Sequence, residues 1–146
     1  MSGKEEDFIV FLYDRPKRGS AHGRVRVNKR LVALEISCAP RSPFLRLSVC
    51  LVVDVAETRE RIQPLLERAS AAFKHSRARL DTEDRCILAE AQIPCAECPR
   101  NVLAQAKRAD FSEFASLLSD ENLLQALQLS KGRIRGTPTD LFDGDE

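Results

Sequence analysis

The chain has 146 residues, 43% apolar and 31% charged, and its 23 basic and 22 acidic residues leave a formal net charge of +1. That length suits one domain able to bury a core without metals or disulfides. Near-neutral charge argues against whole-molecule steering toward nucleic acid, and no apolar run reaches the roughly 18 residues that a membrane-spanning helix needs.

The N-terminus, MSGKEEDFIV, has acids where a secretory leader has a basic flank, so a cytoplasmic location is expected. In that compartment the five cysteines are expected to be reduced, and their odd number argues against a closed disulfide framework. Phe8 to Tyr13 is a short apolar run rich in aromatic and β-branched residues, which favours a strand. Asp14 to Arg24, punctuated by Pro16, Gly19 and Gly23, reads as a loop. From Arg24 to Ser37 the pattern fits two strands turned at Asn28 or one long strand. A break at Ala39–Pro43 precedes Phe44 to Val55, where Leu45, Leu47 and Val49 alternate before the chain becomes apolar on both faces, as in a central strand.

Beyond Val55 the apolar residues Ile62, Leu65, Leu66, Ala69, Ala72 and Phe73 recur at helical spacing. Pro64 is tolerated only in a first turn, so the helix is expected to begin near Ile62 and to run to His75, a cation suited to a helix C-terminus. His75 to Pro94 reads as a hairpin turned at DTED, residues 81–84. The rest is helical in pattern: residues 100–108, then a segment opened by Asp110 and Glu113 in capping-box spacing, then one capped by Asp120 and stopped by a left-handed Gly132. The expected organisation is one α+β domain over residues 1–135, an antiparallel sheet packed against helices, and an acidic, disordered tail over 136–146.

Three groups of residues carry candidate chemistry. Cys95 and Cys98 form a CxxC between Pro94 and Pro99, which is compatible with a redox centre, half of a zinc site, or unbonded thiols in a strand-to-helix joint. Zinc needs a second ligand pair, and Cys38, Cys50, Cys86, His22 and His75 supply none, so the joint is preferred and no metal or cofactor is expected. Between Arg15 and Arg46 nine basic residues face one acid, Glu35. Of these, Lys17, Arg18, Arg24, Arg26, Lys29 and Arg30 are candidate phosphate contacts, although the segment lacks the aromatic platforms of single-strand binders. No nucleophile, base and carboxylate stand at a diagnostic spacing and no phosphate-binding glycine pattern occurs, so a non-catalytic protein is expected.

The third group is apolar. From Phe44 to about Leu118 the order strand, helix, hairpin, helix, and above all the phrase ARLDTEDRCILAEAQIP, resembles the type III secretion chaperones and their YbjN-like relatives. The resemblance implies a non-catalytic homodimer that holds a partner protein on an apolar sheet or helix surface. The surface expected here is Phe44, Leu45, Leu47 and Val49 on the strand, joined by Phe111 and Phe114 from a helix. Nucleic-acid association through residues 15–46 is the alternative function.

Overall fold

The computed structural model describes residues 9–14, 20–38, 43–94 and 102–138. Four strands open the chain: β1 (Ile9–Asp14), β2 (Ser20–Val27), β3 (Arg30–Ser37) and β4 (Phe44–Val53). Helix α1 (Arg59–Ala71) leads to the hairpin β5 (Ser76–Asp81) and β6 (Cys86–Pro94). Helices α2 (Val102–Arg108), α3 (Ser112–Leu118) and α4 (Glu121–Leu129) follow, and the short strands β7 (Arg133–Ile134) and β8 (Thr137–Pro138) end the described chain. The strands form one antiparallel sheet in the order β1-β2-β3-β4-β6-β5, with β7 on β4 and β8 on β3. The protein is therefore α+β, as its pattern predicts.

Where the local chemistry is strong, the elements fall where the sequence places them. The alternatives at Asn28 resolve as a hairpin, with Asn28 and Lys29 both at positive φ (48° and 66°), the conformation that matches the twist of two strands joined by two residues. β4 is central, and its switch to apolar residues on both faces coincides with an irregularity in register between Cys50 and Val52. Asp120 caps α4 by accepting from the N–H groups of Asn122 and Leu123.

Several expectations are corrected. β2 begins at Ser20, inside the segment read as a loop: Gly23 pairs with both Leu12 and Leu34, and Ala21 is buried against the core. The glycine that looked like a break instead lies inside a strand that is paired on both sides. α1 begins at Arg59, so Pro64 lies within the helix and not in its first turn. The carbonyl that loses its proline-side donor belongs to exposed Glu60, where water replaces the bond. The same helix stops at Ala71, short of His75. The left-handed residue after α4 is Lys131 (φ 58°), not Gly132. Gly132 is required for another reason: a Cβ there would stand 2.5 Å from Val52 Cγ1 and 2.6 Å from the Val53 carbonyl. Thr137 and Pro138, expected to belong to the tail, instead pair with Leu31 and Arg30, and residues 139–146 lie outside the described residues.

The capping box at Asp110 and Glu113 does not form. Asp110 accepts from Ser112 N at 2.9 Å and Ser112 Oγ at 2.6 Å. The Glu113 carboxylate reaches away from its own helix and accepts from His75 N at 3.1 Å, Lys74 N at 3.3 Å and Ser76 Oγ at 2.8 Å. One helix thereby fixes the chain as it enters β5. At the other end of α1, Glu57 is 7% exposed and binds Thr58 N, Arg61 and Lys131. The Thr58 N–H, with Arg61 and Lys131 adding, holds its carboxyl below the usual carboxylate range.

Candidate binding face

Strand alternation sorts the sheet into two unlike faces. On one lie Ala21, Val25, Leu34, Ile36, Leu45, Leu47, Val49, Ile87 and Ala89, all at most 1% exposed. The buried residues of the helices, among them Ile62 and Leu66 of α1, Val102 and Ala106 of α2, Phe114 and Leu117 of α3 and Leu123 of α4, join the same cluster. The helices thus seal this face. Leu45, Leu47, Val49, Phe111 and Phe114, expected to form an apolar contact surface, are instead the interior, at 0 to 7% exposure, and only Phe44 is half-buried. The physical reason is mutual: each amphipathic helix has an apolar stripe of its own, and the sheet is where it is buried.

The second face is polar and carries no described helix. Register aligns its side chains in transverse rows. One row runs Ser20, Ser37, Arg46, Gln92 across β2, β3, β4 and β6, and the His75 carbonyl accepts from Gln92 N at 2.9 Å to continue it toward β5. The next row runs His22, Glu35, Ser48, Glu90, Arg77 across all five strands from β2 to β5. A cleft of about 1000 Å³ lies over these two rows and is bounded on one side by the end of α1 and the turn after it, through Ser70, Phe73, Lys74, His75 and Ser76. Ala21, Ile36, Leu47 and Ala91, which alternate with the rows, also border the cleft but are only 0 to 4% exposed.

The charges in the cleft are unequally matched. Glu90 binds Arg79 through both carboxylate oxygens, at 2.8 and 3.3 Å, and Arg77 lies 3.6 Å away. Glu35 faces His22 Nε2 at 4.0 Å. Arg46 is exposed and has no ion-pair partner among the described residues, and neither has half-buried Arg24 nor exposed Arg26 further along the face. The other basic candidates separate. Arg30 is committed to the fold: its Nε donates to the Arg135 carbonyl at 3.0 Å and its Nη2 to that of Gly136 at 2.8 Å, fastening β8. Lys29 sits in the β2–β3 turn, and Lys17 and Arg18 lie outside the described residues.

The cysteines divide in a way spacing does not reveal. Cys95 and Cys98 lie outside the described residues. Cys38 is disulfide-bonded, which corrects the expectation of five reduced thiols; Cys50 and Cys86 are both free, so neither is its partner. Cys38 follows β3, which β4 alone separates from β6. Cys50 on β4 and Cys86 on β6 lie near one another, and the Cys50 thiol donates to the Val52 carbonyl at 3.9 Å. Burial pushes both thiols up, Cys86 to about 11 with the neighbouring Cys50 adding, so both stay protonated near neutral pH and are poor nucleophiles. Among the described residues no cluster of three or more histidine, cysteine or acidic side chains is placed to hold a metal.

Sequence reasoning missed Arg46 as a binding candidate, because it appeared only as the polar alternate of an apolar strand. The available signal was its register with Ser37 and Gln92, and that requires knowing which strands pair. A second, smaller cavity of about 430 Å³ lies beside the β2–β3 turn, lined partly by Leu124, Leu127 and Ile134.

The chain matches no family model, and neither a curated protein nor a solved structure of significant similarity is found. No family is assigned. Function is therefore read from the face itself.

Proposed function

We propose that this protein is a non-catalytic, chaperone-like module that binds a partner protein in the cleft on the open polar face of its sheet. The observation that carries this reading is the asymmetry of the sheet: one face is sealed by four helices, the other holds a cleft of about 1000 Å³. A fold that devotes its apolar face to its own helices keeps the opposite face available for recognition. The resemblance to the type III secretion chaperones supports binding as the class of function, while the surface moves from the apolar face to the polar one. No described helix is long and apolar enough to cross a membrane.

Homodimer formation belongs to the same reading. β1 is the outermost strand of the described sheet, and its sequence is apolar from Ile9 to Tyr13 before it ends at Asp14. An edge of that kind is a template for antiparallel pairing with a second copy.

The test is chemical cross-linking of the full chain in its native extract, followed by mass spectrometry of the linked lysines. Lys74 borders the cleft, whereas Lys107 lies at the end of α2 on the helical side. Partner links are expected at Lys74. Links concentrated at Lys107 would place the binding surface on the helices and end this proposal.

A further inference from the structure

Resting on the reading of the open face as a protein-binding surface, we infer that the row through Arg46 is an oxyanion subsite, receiving a carboxylate or phosphate group carried by the partner polypeptide. The row is composed of hydrogen-bond donors. Arg46 stands in register between Ser37 on β3 and Gln92 on β6, and His75 follows Gln92 through their backbone bond. A guanidinium presents a planar fork of N–H donors that matches the two oxygens of a carboxylate or phosphate, while hydroxyl and amide groups on either side complete its hydrogen bonding. Among the described residues no carboxylate belongs to this row. Both acids of the cleft, Glu35 and Glu90, lie in the neighbouring row, opposite His22 and between Arg77 and Arg79 respectively. Arg46 and Lys74 are thus left as the cations of the cleft that no described acid neutralises.

The same arrangement selects a polypeptide over a nucleic acid. A phosphate backbone laid across the cleft would pass directly over Glu35 and Glu90, and Phe73, the one Phe, Tyr or Trp among the described residues lining it, is half-buried. A peptide with an acidic group at one position, and polar or basic groups beside it, meets the donor row and the acid-bearing row together.

The experiment measures binding of fluorescently labelled probes to the full chain by anisotropy at physiological ionic strength. The probes are an aspartate-rich octapeptide, a phosphoserine octapeptide, a lysine-rich octapeptide and an oligothymidylate. Binding of one or both acidic peptides in preference to the other two is expected, and the better of them tells carboxylate from phosphate. Arg46→Ala should weaken it about tenfold, Arg46→Lys by less because charge survives and the fork does not, and Arg24→Ala by under about twofold. Arg46 is exposed, so circular dichroism should confirm that all three variants fold. Equal weakening by Arg46→Ala and Arg24→Ala would show a diffuse basic field and overturn the subsite, as would tighter binding of the lysine-rich peptide or the oligonucleotide. If the subsite fails while partner cross-links at Lys74 persist, the binding face stands without an oxyanion anchor. If those links are absent as well, both readings fall.

Discussion

The two faces of β4 lie within one strand and follow different rules. Leu45, Leu47 and Val49 are at most 1% exposed beneath the helices, while Arg46 and Ser48, one residue away in each case, line an open cleft. On the first face every side chain is fixed by neighbours from two layers. On the second, register sets the rows and a few ion pairs such as Arg79–Glu90 join them, but Arg46 has no described ion-pair partner. The contrast separates what the sheet needs in order to fold from what it offers for recognition. Predictions that act on one face and spare the other therefore test it most sharply.

The largest effect is expected from Leu47→Ala, which removes a buried side chain at the centre of the sheet and should cost about 2–5 kcal/mol in chemical denaturation. Its neighbour Arg46→Ala should change stability by less than about 0.5 kcal/mol in the same assay. Comparable losses for the two would erase the distinction between the faces. Next comes Gly132→Ala. Its new methyl group must displace the Val52 side chain and the backbone of Val53, so a loss of about 1–3 kcal/mol is expected, read as a lowered melting temperature.

A smaller cost, about 1 kcal/mol, is expected for Glu113→Ala, which leaves the N–H groups of Lys74 and His75 to solvent. These residues border the cleft, so the variant should also loosen its rim, seen as faster amide exchange at residues 74–76 and not in β3.

Acid provides a subtler probe of the helical side. Because the carboxyl of Glu57 has its folded value depressed, its contribution is complete above the unfolded value of about 4.3 and is lost as pH falls through the folded value. Glu57→Gln should flatten that part of the stability–pH curve, and an unchanged curve would remove Glu57 from the account. The smallest effect is kinetic. Alkylation of Cys86 by iodoacetamide at pH 8 should be at least about tenfold slower than that of an exposed cysteine, because burial and Cys50 keep the thiol protonated.

Much of the fold was legible because its signals are local. The alternation from Leu45 to Val49, the DTED turn and the Asp120 cap are each encoded within a few residues. Pro64 misled because its cost depends on whether water can reach the Glu60 carbonyl, which is a property of the folded surface. Glu113 misled because its partners at Lys74, His75 and Ser76 are 37 to 39 residues away. The candidate site was harder still. Alternation showed which residues share a face of β4, but not which face the helices would take. Ser37, Arg46 and Gln92 become neighbours only through the pairing of three strands.

The most direct test of the central claim is the affinity of the folded Arg46→Ala protein for the acidic octapeptides, set beside its melting temperature. The account predicts about tenfold weaker binding with an unchanged melting temperature. Unchanged affinity, or a loss of binding that merely follows a loss of stability, would contradict it.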